Sequence, residues 1–312
     1  MKRTKHKGVL ATFTAHRRHL VGAITLALVA TAFTLGSGPA GADTIPTITF
    51  EGSQNYVVGD INGQPALGPT PNGRWSKTGA YDAAVALVAD YPDASGYGFN
   101  AQALRISDAV TSGSFGDQTF TPGLADEAGE KNADNAGLSG GVRQPHFDAS
   151  FLIGTTKAAE QSGLHMSVSP DRGDGARMSY LRFEDHTDGV HVFFVDVTDP
   201  GRVLNGDIFN ETDIATLNRT SSHLIRFSID FKNGPAQDTV KIFVDGVRMI
   251  TGTTWEDYYR YDSEQAPQGN KVPTVDKVLF RESGDTTGSN VGQGFLIDHV
   301  SLASSGAPKK TR

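Results

Sequence analysis

Strict two-residue alternation of apolar side chains is the feature that most constrains this chain. Between 224 and 231, Ile225, Phe227, Ile229 and Phe231 fall on one side, and Arg226, Ser228 and Asp230 fall on the other. A strand with one packed face and one wet face reads this way; an amphipathic helix does not. The next segment, VKIFVDGVRMI at 240–250, repeats the pattern, and Asp245-Gly246 supplies the two positive-φ residues of a tight hairpin turn. Similar short runs occur at 102–106, 147–153, 164–168, 177–184, 190–197, 275–281 and 295–302. Turn clusters separate them: SPDRGDG at 169–175, TDG at 187–189 and NGP at 233–235. The segment 82–89 suits either a short helix or a strand. About ten strands with no internal repeat and no linker predict an all-β, double-sheet jelly roll. An early strand at 47–51 is expected to pair with the last one, bringing the two ends of the domain together.

The first residues are a targeting segment and stand outside the fold. Lys2, Arg3, Lys5, Lys7, Arg17 and Arg18 form a basic leader, an uncharged run extends from Leu20 to Leu35, and Ala40-Gly41-Ala42 is a cleavage-type triplet. The expected division is a signal peptide at 1–42, a single domain at 43–303 and a disordered tail at 304–312, with the mature protein secreted and without a membrane span. The whole chain has 28 Lys and Arg against 35 Asp and Glu; the leader holds six of the former and none of the latter, leaving 22 against 35, or −13. So acidic a surface argues against nucleic acid as a partner, and leaves room only for a local basic patch. There are no cysteines, which excludes a disulfide framework, thiolate metal sites and a cysteine nucleophile. Roughly 270 residues bury an adequate core without such staples. A monomer is expected.

The order of pieces resembles a concanavalin A-like or laminin G-like jelly roll. The opening TFEG, then ALRIS at 103–107, ARMSYLRFED, HLIRFSIDF, VKIFVDGV and the closing GFLIDHVSL carry that likeness over most of residues 45–302. Lectins, pentraxins, glycan hydrolases and polysaccharide lyases share this layout, so the resemblance implies a sandwich of two antiparallel sheets and a glycan as partner. It names no activity by itself.

Alternation identifies the side chains of the wet face. With Leu181 and Phe183 inward, Tyr180, Arg182 and Glu184 point outward; with Leu164, Met166 and Val168 inward, His165 points outward. If these strands are neighbours, His191, Arg143 and His146 are candidates to join them. Tyr and His are suitable acid and base for a β-elimination on a uronic-acid polymer, with Arg neutralising the carboxylate. A solvated sheet face with cross-strand Arg–Glu pairs explains the same residues. A retaining glucanase signature needs carboxylates two apart on one strand. Glu184 and Asp185 are adjacent, while Glu211 and Asp213 are followed by Ala215 and Thr216, where a further Glu is required.

The densest aromatic and acidic cluster is WEDYYRYD at 255–262. Trp255, Asp257, Tyr258, Tyr259 and Tyr261, with Glu184, are the candidate sugar contacts, read as a loop; sealing of the sandwich edge is the structural alternative. Asp171 and Asp174, with Gly173 and Gly175, offer oxygens to Ca²⁺, but they lack the spacing of a full calcium loop and a tight hairpin turn explains the same residues better; no other cofactor is called for. Three readings remain open: a secreted lectin-like module, a polysaccharide-active enzyme (polyuronate lyase before glycoside hydrolase), and a structural or adhesive surface protein.

Overall fold

The computed structural model describes residues 43–65, 73–79, 82–110, 117–133, 141–197, 209–262, 264–265, 267, 269–282 and 287–306. The leader and the last six residues of the expected tail lie outside the described residues. Nine strands form one sheet: β1 (Asp43–Ile48), β2 (Gly59–Asp60), β4 (Asp82–Leu87), β5 (Gln102–Ser107), β7 (His146–Thr155), β12 (His223–Asp230), β13 (Thr239–Val244), β14 (Val247–Gly252) and β16 (Phe295–Ser305). Seven form the other: β3 (Ser76–Thr78), β6 (Gln118–Phe120), β8 (His165–Asp171), β9 (Leu181–His186), β10 (Gly189–Val197), β11 (Phe209–Leu217) and β15 (Lys277–Arg281). The described residues include one α-helix, α1 (Glu256–Tyr261).

The first sheet runs in the order β14-β13-β12-β7-β16-β5-β4-β2, with β1 added on β16; the second runs β11-β10-β9-β8-β15-β6-β3. All pairings between these strands are antiparallel. The chain is thus an all-β jelly-roll sandwich of two antiparallel sheets. The expected pairing of the ends is present, since Asp43 lies opposite Ser304 and Ile45 opposite Leu302. β16 continues through Ser304 and Ser305, two residues into the segment marked as a tail, and Ser304 is buried.

Period-two burial holds the layers together. Ile225, Phe227 and Ile229 of β12 and Val240 and Ile242 of β13 are buried, with Phe231 just beyond β12. They meet Met166, Val168, Leu181, Phe183, Val192 and Phe194 of the second sheet in one core. The Phe151 ring of β7 lies 5.5 Å from Phe280 of β15 and 6.3 Å from Phe183 of β9, crossing the interlayer space edge-on. At the β13–β14 hairpin, Asp245 (φ 51°) and Gly246 (φ 80°) adopt the left-handed conformations that a two-residue turn needs.

Two segments, at 47–51 and 177–180, differ from the sequence expectation, and a third, at 82–89, is open in sequence to either a helix or a strand. The opening strand sits earlier than 47–51, because Phe50 turns to φ 56° and Gly52–Gln54 coils into a 3-10 turn. Residues 82–89 resolve as strand β4 followed by a 3-10 turn at Val88–Asp90. Residues 177–180 precede β9 instead of extending it. Met178 donates its N–H to Pro170 while its carbonyl accepts from Trp255, and Met178 and Ser179 are both buried, which breaks alternation.

If Phe151 bridges the layers, Phe151→Ala should lower the unfolding free energy by about 3–5 kcal/mol. Urea titration followed by tryptophan fluorescence measures this; a loss under about 1 kcal/mol would show that the two sheets do not share a core.

Candidate functional site

β8, β9 and β10 are consecutive neighbours, so their outward side chains line up across the sheet. His165 lies opposite Glu184, and Glu184 opposite His191; Ser167 lies opposite Arg182, and Arg182 opposite Phe193. β15 and β6 lengthen the second row, with Arg281 opposite Ser167 and Gln118 opposite Arg281. β11 extends it the other way, with Asp213 opposite Phe193. The alternate residues of these strands are in the core, so both rows lie on the outer face.

The exposed half of this face is a belt of ion pairs. Arg182 lies 2.9 Å from Glu184 and 2.7 Å from Glu211, with its guanidinium 4.7 Å from the Phe193 ring centroid. His191 sits between Asp188 (3.0 Å) and Asp213 (2.6 Å), and those hydrogen bonds hold its imidazole above the usual range. Two carboxylates on one imidazole favour its protonated form. The His165 Nδ1 is 2.9 Å from the Gly163 carbonyl and so carries a proton there. Asp108 lies 3.4 Å from the same atom.

The other half is more enclosed. Tyr180, just before β9, has its carbonyl bonded by Val195 N–H, which keeps it beside β10 on Arg182's side. Its ring stacks on Trp255 at 5.7 Å and 21°, and the Arg177 guanidinium lies 5.6 Å from the centroid of each ring. Arg281 is only 6% exposed; burial first, then repulsion from Arg177, pulls its pKa down to about 10, against the opposing fields of Tyr180 and Asp117. Gly175 (φ 89°) brings its turn against Gln118, whose Nε2 would be 2.9 Å from an added Cβ. Two guanidiniums, an amide and a phenol therefore share one partly dry corner.

Other expected residues go elsewhere. His146 is on β7, in the other sheet, 2.7 Å from both Asp148 and Asp230. Burial alone would lower its pKa, but the two carboxylates hold it up. Arg143 donates to the carbonyls of Glu130, Lys131 and Ala133 and to the Glu127 carboxylate. Neither joins the outer-face rows. The segment expected as a sugar-binding loop is mostly helix α1. Trp255 is buried and donates its indole N–H to the Val195 carbonyl at 2.9 Å; Asp257 and Tyr259 are buried. Tyr258 is half-buried and donates to Glu264, and Tyr261 is exposed. Trp255 therefore acts as the wall behind Tyr180. Asp171 Oδ1 accepts N–H bonds from Gly173, Asp174 and Gly175, while Asp174 pairs with Arg172 at 2.7 Å, so both are engaged in their own turn. Among the described residues, no three His, Asp or Glu side chains converge as a metal-ligand set.

Sequence reasoning missed Arg281, Gln118 and Arg177. Phe280 inward implies Arg281 outward, so alternation carried that signal; Gln118 lies on a three-residue strand too short to show a period.

No family model and no curated protein matches the chain. Among solved structures it is similar to the alginate lyase Aly36B, with 8% identity and a TM-score of 0.45 over 84% of this chain and 96% of that one. It is also similar to an endo-1,3-beta-glucanase from Streptomyces sioyaensis, with 15% identity and a TM-score of 0.42 over 87% and 99%. A sialidase matches 74% of this chain at 12% identity and a TM-score of 0.37, and this chain spans 17% of that one's length. Among the described residues, no helix is long and apolar enough to cross a membrane.

Several buried acids bear on stability. Burial raises Asp171 to about 6 and Asp238 and Asp276 to about 7. A carboxyl raised on folding binds its proton more tightly in the folded state, so its contribution is full below the unfolded value and is lost as pH rises through 6–7. The raised histidines His146, His191 and His299 act in the same direction. The melting temperature should therefore fall by several degrees between pH 5 and pH 8, about where these groups titrate. A scan showing a rise across that interval would contradict these assignments.

Proposed function

We propose that the protein is an exported, carbohydrate-binding β-sandwich that takes an acidic glycan chain on the outer face of its seven-stranded sheet. The observation that carries this reading is Arg177 lying 5.6 Å from the ring centroids of Tyr180 and Trp255, on a face that also carries Arg281 opposite Gln118. A ligand carboxylate matches the planar fork of a guanidinium. The ring of Tyr180 offers an apolar flank for a sugar's C–H face, with Trp255 fixing it from behind. The belt of His165, Arg182, Glu184 and His191 extends the face along the sheet and supplies hydroxyl-binding groups. The basic leader and its Ala40-Gly41-Ala42 triplet support export.

A second reading, a lyase, rests on the placement of Tyr180 next to that guanidinium pair. Neutralising a uronate carboxylate acidifies its α-carbon proton. A base removes that proton, the C–O bond to the neighbouring sugar breaks, and an acid protonates the departing oxygen, leaving a C=C bond. Tyr180, with the Arg177 guanidinium 5.6 Å from its ring centroid, is the side chain of that corner suited to those proton transfers.

Affinity electrophoresis and calorimetry against polyuronates and neutral glucans test the binding reading. Polyuronates should bind in a salt-sensitive manner, and Arg177→Gln should weaken binding about tenfold with the melting temperature preserved. Equal affinity for neutral glucans, or indifference to Arg177→Gln, would overturn it. Absorbance of an unsaturated uronate, present in the wild type and absent in a folded Tyr180→Phe variant, separates the lyase from the binder.

A further inference from the structure

A cavity of about 260 Å³ lies where β12 ends and β7 begins, strands of the other sheet from these rows. Three segments wall it: Gly129–Glu130–Lys131, Arg143–Gln144–Pro145 and Phe231–Lys232–Asn233. Their backbones are tied to one another, which makes the cavity preformed. Gly129 N–H donates to the Gln144 carbonyl at 2.9 Å and Phe231 N–H to the Pro145 carbonyl at 2.8 Å. Lys131 N–H donates to Asn233 Oδ1 at 2.8 Å. Arg143 adds bonds from one guanidinium nitrogen to the carbonyls of Glu130 and Lys131.

The chemistry of the walls selects for a small anion. Glu130, the acid of the lining, is buried and already neutralised: its Oε2 accepts from Arg260 and from Gly234 N–H. Lys131 and Lys232 are exposed at the rim and form no ion pair among the described residues, whereas Lys77, Lys241 and Lys277 each meet an aspartate. Arg143 keeps a buried Nε without a hydrogen-bond partner among the described residues. The amides of Gln144 and Asn233 sit on the same wall, and buried Phe231 closes part of it. The volume is below that of a drug-sized pocket and suits one sugar ring.

We propose that this cavity is a second binding site, for a single carboxylate-bearing, hydroxyl-rich molecule of uronic-acid type. Lys131 and Lys232 hold the carboxylate, and the amide of Asn233 on the same wall takes a ring oxygen. The site is independent of the outer face, so it can be tested without that reading being correct.

Titration of the full chain with D-glucuronate, followed by calorimetry and by amide chemical shifts, tests it, with glucose as the neutral control. Saturable glucuronate binding is expected, with shifts centred on 129–131 and 231–233 and weaker binding of glucose. Lys131→Ala with Lys232→Ala should weaken glucuronate binding by at least about tenfold while the melting temperature holds. Lys157→Ala, just past the opposite end of β7, should leave it unchanged. Glucose binding as tightly, the double variant binding normally, or no glucuronate binding at about 10 mM, roughly tenfold above a 1 mM Kd, would each overturn the proposal.

Discussion

The separation of odd from even side chains between a dry interlayer and two hydrated faces is the constraint on which the rest of this structure depends. Phe151, Phe183, Phe280 and Phe295 fill the interlayer with edge-on ring contacts, so the strands that carry them cannot slip by one residue without burying their polar neighbours. That prohibition also fixes the outer face. Once Met166, Val168, Leu181, Phe183 and Phe280 are committed to the core, His165, Ser167, Arg182, Glu184 and Arg281 have only one side to occupy. Site and core are two consequences of one register.

Electrostatics then divides that face. In a chain with more carboxylates than cations, most of the described arginines are drawn into ion pairs: Arg105 forks onto Asp82, Arg219 lies 2.7 Å from Asp185, and Arg226 lies 2.7 Å from Asp148. These pairs tie strands and turns together. At the corner of Arg177 and Arg281, burial first and then the field of Arg177 lowers the Arg281 pKa, against the opposing fields of Tyr180 and Asp117. The buried carboxyls Asp171, Asp238 and Asp276 lie off the outer-face rows and express the same competition between burial and charge as a dependence of stability on pH.

The sandwich was legible in the sequence because alternation is a local property. The hairpin at Asp245-Gly246, the faces of β8, β9 and β12, and the pairing of the two ends could all be read from short windows. Sheet membership could not, because period two assigns a face and not a layer. Arg143 and His146 adjoin Phe147 in sequence and looked like companions of His165, but β7 belongs to the nine-stranded sheet. Helix α1 was hidden for a different reason. Its Trp and Tyr residues favour strands, and the turn is stabilised by a tertiary contact, Glu256 accepting N–H bonds from Gln237 and Asp238. Gln118 was invisible because a strand of three residues displays no period.

The central claim is the register that places His165, Glu184 and His191 in one line across three strands, and the absence of native cysteine makes it directly measurable. Directly opposed antiparallel residues have the Cα spacing a disulfide needs. A chain carrying His165→Cys and Glu184→Cys should form an intramolecular disulfide under mild oxidation, while one carrying His165→Cys and Asp185→Cys should stay reduced. Cross-linking of the second pair in place of the first would mean a strand shifted by one residue, and the outer-face site would not exist as described.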